Sequence, residues 1–359
     1  MVDLLSEIEW HEPLFPSRSD SEFEKEFSAR FGGNVPEIYR RVSDVPWLRE
    51  FCIKIERLRP VFLSPRMMDI GAMVTAQENS CRYCYGATRA SMRTLGYSER
   101  MISQIERDVQ VAGLNELERA FISFCRNLAR SNPRPSGKER KNLLELGFSP
   151  QAIAEMAAWI TGQCFMNRVA TIIAAPPLHD YEKMAESLFV RLMRPLLALK
   201  PRNHHYVETG AMPEEITHFP HIINALRDLP MAPVLYEALQ SAFSPSRLSL
   251  LLKLLMFSVV ALSLNCKFCQ MGVKEKLIEE GLDEEEINTC LSTLTSPRLT
   301  PAEENLLAWT RETVHFQAGF IQKRTRELAQ EIDQASLLEA IGIASLANSV
   351  VRLAVLLEE

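Results

Sequence analysis

An all-α fold made of two tandem copies of one helical unit is what this sequence predicts, and three observations carry the prediction. The tetrapeptide Cys81-Arg82-Tyr83-Cys84 returns 185 positions later as Cys266-Lys267-Phe268-Cys269. Windows at 116–129, 150–175, 184–193, 301–314 and 336–357 carry apolar residues three and four apart, the spacing of one helix face. Glycine is scarce, and no run alternates as a half-buried strand would.

The repeat extends well beyond the cysteines. At the same offset Gly96 matches Gly281, Ile102 matches Ile287, Leu114 matches Leu299, Glu118 matches Glu303 and Arg126 matches Arg311. Phe124 meets Trp309, and after a short gap Asn167 meets Asn348. Upstream, Pro36, Asp44 and Pro46 match Pro220, Asp228 and Pro230 at an offset of 184. A chance pair of motifs would not bring this collinear set with it. In chain order the reading is an N-terminal arm at 1–19, a first unit at 20–198, a polar linker broken by Pro and Gly at 199–218, and a second unit at 219–359. After each cysteine motif a helix is expected to end near Gly96 or Gly281. The next helix should start at Ser98 in the first copy and at Asp283 in the second. Each copy so implies a pseudo-dimer, in which one half covers the apolar face of the other.

Composition narrows the function classes. The chain is 47% hydrophobic and 24% charged, as globular domains are. A net charge of −6 gives no electrostatic case for nucleic acid or an anionic membrane. The apolar stretch at 248–264 falls short of the ~20 residues of a membrane span and contains Lys253, so it reads as a buried core helix. The start, MVDLLSEIEW, lacks the basic segment of a signal peptide, and the expectation is a cytoplasmic protein with reduced thiols. No phosphate loop, Gly-x-Ser-x-Gly or His-Glu-x-x-His motif is present, and no cofactor or metal is expected. His204, His205, His218 and His221 cluster in or beside the linker, where solvated side chains are the reading. Cys52, Cys125, Cys164 and Cys290 are unpaired in sequence and read as core.

The two Cys-x-x-Cys pairs carry the candidate chemistry. Each follows a small polar residue, Ser80 or Asn265, at a predicted helix start. Unpaired backbone N–H groups and the helix dipole favour thiolate there, and the second cysteine lies one turn on. Arg82 and Lys267 add positive charge inside the motifs.

With its buried helix leading into Cys-x-Tyr/Phe-Cys, its Gly-terminated helix, its Glu/Arg-bearing helix and its last Asn-bearing helix, the chain resembles the alkylhydroperoxidase D and carboxymuconolactone decarboxylase superfamily. The resemblance implies an all-helical, oligomeric protein, here a homodimer or homotrimer. It also implies a thiol-dependent peroxidase or disulfide reductase, acting on a peroxide or disulfide and recharged by a dithiol reductant. The redox branch carries a Glu twelve residues before the first cysteine and a His four after the second. Here those positions hold Asp69 and Thr88 in the first copy, Leu254 and Val273 in the second. Glu78 is a candidate substitute base. The expected site is therefore Cys84, meeting the oxidant as the resemblance implies, with Cys81, Asp69 and Glu78. Cys266 and Cys269 form a second pair, expected to be sluggish or structural in an apolar surround. Two other classes stay open: a cofactor-free acid–base enzyme like the decarboxylases, using Asp69, Glu78, Arg82 or Tyr83, and a non-catalytic sensor laid out like the sestrins.

Overall fold

A computed structural model of the chain describes residue 5 and residues 7–107, 114–199 and 206–358. Among these there is no strand. The first half contains α1 Ser21–Phe31, α2 Glu37–Arg41, α3 Pro46–Glu56, α4 Pro65–Glu78, α5 Arg82–Thr94, α6 Glu99–Arg107, α7 Glu116–Arg130, α8 Gly137–Glu145 and α9 Pro150–Ile172. Two further helices, α10 His179–Glu186 and α11 Leu188–Leu197, follow. The second half contains α12 Pro220–Ala225, α13 Met231–Phe243, α14 Leu250–Ser263, α15 Lys267–Glu279, α16 Glu284–Thr293, α17 Pro301–Glu312, α18 Ala318–Leu328 and α19 Gln334–Leu353, with a 3-10 turn at Ala354–Leu357. The window at 184–193, read as one helix, is two. The chain breaks at Ser187, whose hydroxyl accepts the Val190 N–H and starts α11 afresh.

The same local devices occur in both halves. Ser64 and Ser249 cap the helices that lead into the cysteines, each accepting an N–H three residues on. Asn115 with Glu118 and Thr300 with Glu303 form capping boxes 185 positions apart. Gly96 and Gly281 end the cysteine helices at φ +92° and +85°, a conformation that costs a side-chain-bearing residue about 1–2 kcal/mol. Glu155 of α9 accepts the N–H groups of Val61, Phe62 and Leu63. Its counterpart Glu339 of α19 accepts the Leu248 N–H and also pairs with Lys253 at 2.8 Å, both side chains buried.

The two halves of the chain meet through helices about 184 positions apart in sequence. The most extensive helix pairing joins α9 to α19, and α3 lies against α13. Ser349 donates to the Thr161 carbonyl across the first contact, and Lys54 pairs with Glu237 across the second. The N-terminal segment spans both halves, because Trp10 and Leu14 donate to carbonyls after α9 while the His11 N–H donates to Gln322 of α18. The apolar stretch at 248–264 is the buried helix α14. The segment Gln334–Leu357 is long and apolar enough to cross a membrane, yet it is buried inside the protein. Among the linker residues, 200–205 lie outside the described set, and His204 and His205 with them. His218 stacks on Phe243.

Candidate active site

Each cysteine motif is built by a helix-to-helix junction that leaves little freedom. At the end of α4 the Cys81 N–H returns to the Ala76 carbonyl, with Ser80 left-handed at φ 50°. At the end of α14 the Cys266 N–H returns to Ala261, with Asn265 at φ 52°. These are six-residue closures that satisfy the last carbonyls of a helix. The same cysteine then caps the next helix. Cys81 Sγ accepts the Cys84 N–H at 3.3 Å, and Cys266 Sγ accepts the Cys269 N–H at 3.3 Å. A thiolate at that point sits against unpaired amides and the positive end of the helix. All eight cysteines are free.

The surroundings of the two pairs differ. Cys81 is buried and Cys84 half-buried. Burial pushes the Cys84 thiol well above its ordinary value, and its hydrogen bond with Cys81 and the nearby charge of Glu56 push it further. Glu56 ends α3 and accepts a short hydrogen bond from Tyr39. Arg82 does not face the thiols as a free cation. It is held in a two-bond clamp by Glu182 of α10, at 2.7 and 2.8 Å.

In the second pair the sulfurs lie 2.8 Å apart, nearer than unbonded contact and beyond the ~2.05 Å of a disulfide. The bond between the two sulfurs draws the Cys266 thiol down to about 7, against desolvation; the Cys269 N–H adds to the effect, and Arg134 adds less, opposed by Glu358. Cys269 moves the opposite way, raised by the same bond and by burial. Asn265 and Lys267, on either side of Cys266, line a cavity of about 550 Å³ together with Arg134, His315 and Glu358. A cleft of about 680 Å³ around Arg59 and Glu208 touches no cysteine. Outward cover differs too. Helices α10 and α11 pack on α5, whereas Phe268, Met271 and Ile278 of α15 are 46–63% exposed.

Several expected site residues are employed elsewhere. Glu78 is paired with Arg130 at 2.6 Å and with Arg126 at 3.7 Å, its carboxylate nearly buried. Its carboxylate is thus engaged by two guanidiniums of α7. Asp69 accepts the Tyr97 hydroxyl at 2.8 Å. Thr88 is half-buried, and Val273 and Leu254 are core residues. Both sulfurs of the second pair are buried, and the charge of Arg134, from the loop after α7, reaches Cys266 with that of Glu358 opposing it. Burial and the charges of Arg352 and Arg168 hold His315 at about 4, so its imidazole is neutral near pH 7. Arg134, His315 and Glu358 carried no sequence signal, being remote from the motif in the chain.

Among the described residues no three His, Cys, Asp or Glu side chains gather as a metal site. No curated protein matches the chain. Residues 231–312, spanning α13 to α17 with both Cys266 and Cys269, match the carboxymuconolactone decarboxylase family. The second half of this chain therefore carries a segment similar to the carboxymuconolactone decarboxylase family, within the superfamily its cysteine motifs resemble.

Proposed function

We propose that this chain is a dithiol–disulfide oxidoreductase whose reaction starts at Cys266. The observation that carries the reading is the second pair itself: two sulfurs 2.8 Å apart at a helix start, one lowered to about 7 and the other raised. That split matches an attacking thiolate beside a resolving thiol. Cys266 Sγ attacks one sulfur of a small disulfide, the S–S bond breaks, and one substrate thiolate leaves. Cys269 then loses its proton and attacks Cys266 Sγ, releasing the second thiolate and closing the protein disulfide. Two electrons pass to the substrate, and a dithiol reductant restores the pair by the reverse exchange.

Among the described residues, the imidazole that lines the neighbouring cavity, His315, is neutral near pH 7, which favours disulfides over peroxides. A thiolate is a stable leaving group, whereas an alkoxide or hydroxide needs a proton, and general acid assistance is worth about 10²–10⁴-fold. His315 at about 4 does not supply that proton near neutral pH. Peroxide reduction by this chain is therefore expected to be slow. The expectation that Cys84 leads rested on the resemblance and on Asp69 and Glu78 near that pair; Asp69 accepts the Tyr97 hydroxyl and Glu78 is paired with Arg126 and Arg130. The test is a thiol titration of the reduced chain before and after one equivalent of a small disulfide. Loss of two thiols at Cys266 and Cys269 supports the reading; retention of all eight contradicts it and favours the sensor or cofactor-free alternatives.

The counterpart contacts α9–α19 and α3–α13 support an internal duplication about an approximate two-fold axis, since such an axis brings each element against its own copy. We further propose that whole chains associate through α11. Leu188, Phe189, Leu192 and Leu196 are 61–80% exposed on that helix. Four large apolar side chains this exposed on one helix form a patch of the kind that marks an interaction surface. The occupant is a second copy of the same helix.

A further inference from the structure

We propose that the Arg134–Glu358 ion pair latches the chain over the second cysteine pair, so that its release is the step that exposes Cys266. The inference rests on the reading of Cys266 as the attacking thiol and adds what governs access to it.

The need for a latch follows from burial. Cys266 is 0% exposed and Cys269 1%, so neither sulfur meets solvent in the closed chain. The cavity beside them is lined by Asn265 and Lys267, the neighbours of Cys266, and not by the thiol itself. Attack on any substrate therefore needs a local opening, and such openings occur where few contacts hold the chain.

The end of the described chain is that place. The 3-10 turn is packed, with Ala354 and Val355 buried, whereas Leu357 and Glu358 after it are half-buried. Two arginines of the first half hold this end. Arg140 of α8 donates to the Leu356 carbonyl at 2.5 Å, and Arg134, from the loop after α7, pairs with the Glu358 carboxylate. Arg134 Nε and Nη1 have no partner, so among the described residues Glu358 is what fixes the guanidinium. Both side chains line the cavity together with Asn265 and Lys267. Both also lie close enough for their charges to reach Cys266 and Cys269, with opposite sign. The pair thus borders the cavity and the sulfurs at once. The Glu358 side chain is 24% exposed, so a released carboxylate has water to turn to.

Alkylation by iodoacetamide tests this without any redox step. The Cys266 thiolate attacks the methylene carbon, an S–C bond forms, the C–I bond breaks, and iodide leaves with its electron pair. Rates at each cysteine are read by peptide mass spectrometry across the pH range in which the thiol titrates. Cys125, buried in α7, is the reference for unfolding of the whole chain. Glu358→Gln and Arg134→Gln break the same bond but carry opposite charge effects on the thiol. A latch predicts that both raise the plateau rate at Cys266 by about tenfold, the effect of one hydrogen bond between charged groups, and leave Cys125 unchanged. The half-point should fall in Glu358→Gln, which loses a nearby carboxylate, and rise in Arg134→Gln, which loses a guanidinium. Unchanged plateaus with moving half-points would show that the pair acts through charge and not as a latch. A plateau raised in one variant alone, or Cys125 rising in step with Cys266, also overturns the proposal. A chain that gains both plateaus yet exchanges with no disulfide keeps the latch and loses the oxidoreductase reading. The reverse outcome keeps the reading and loses the latch.

Discussion

The starts of α5 and α15 share one backbone and hold two different thiol pairs. Both follow a left-handed Ser or Asn, both use the first cysteine as helix cap, and both bind the second cysteine's N–H at 3.3 Å. What separates them comes partly from elsewhere in the fold. In the first, α10 spends Arg82 on Glu182 and covers the helix, and the accessible thiol is driven up. In the second, the bond between the two sulfurs and the Cys269 N–H draw one thiol down to about 7, and Arg134 from a loop of the opposite half adds a smaller share that Glu358 opposes. The motif thus supplies both the geometry and the main pull on the thiol, while burial and remote residues adjust it.

The largest effect that would sharpen this contrast is on stability. Lys253 stands where the first half has Met68, and Glu339 where it has Glu155. Lys253→Met makes the halves alike but strips Glu339 of its buried cation while leaving it far fewer amides than Glu155 enjoys. We expect a loss of about 3–5 kcal/mol in denaturant unfolding. A loss under 1 kcal/mol would mean that Glu339 is protonated or rescued by water.

Next comes the pH dependence of the thiols. A lowered value means more thiolate at lower pH, so Cys266 alkylation by iodoacetamide should reach half its plateau near pH 7. Cys84, raised by burial, should still be climbing above pH 9. Coincident profiles would remove the contrast. Self-association follows in size. Leu192→Glu with Leu196→Glu should shift the chain toward monomer in light scattering, and a wild-type monomer at micromolar concentration would count against the α11 contact. The smallest effect lies at the junctions. Ser80→Gly relieves a left-handed serine and should stabilise by about 1 kcal/mol, while Asn265→Gly should gain less, because Asn tolerates that conformation better. Equal gains would show that the junctions do not differ in strain.

The sequence made the fold legible because its signals are local. Start signals at Ser98 and Asp283, closing glycines at 96 and 281, and helical periodicity each act within a few residues. The break at Ser187 was missed because the apolar spacing runs on through it. The cysteines of the site were legible for the same reason. What adjusts their ionisation was not, since Arg134 lies 132 positions before Cys266 and Glu182 lies 100 after Arg82. Glu78 looked like a base because sequence separation hides Arg126 and Arg130, which reach it from α7.

The central claim is that the second pair performs the exchange. Its most direct test is a single-turnover reaction of the reduced chain with dithiobisnitrobenzoate, followed by release of the coloured thiolate near pH 7. The account predicts a fast phase of two thiolates per chain. That phase should persist in Cys84→Ser, vanish in Cys266→Ser, and fall to one in Cys269→Ser with a mixed disulfide trapped on Cys266. A fast phase that survives Cys266→Ser and disappears in Cys84→Ser would contradict it.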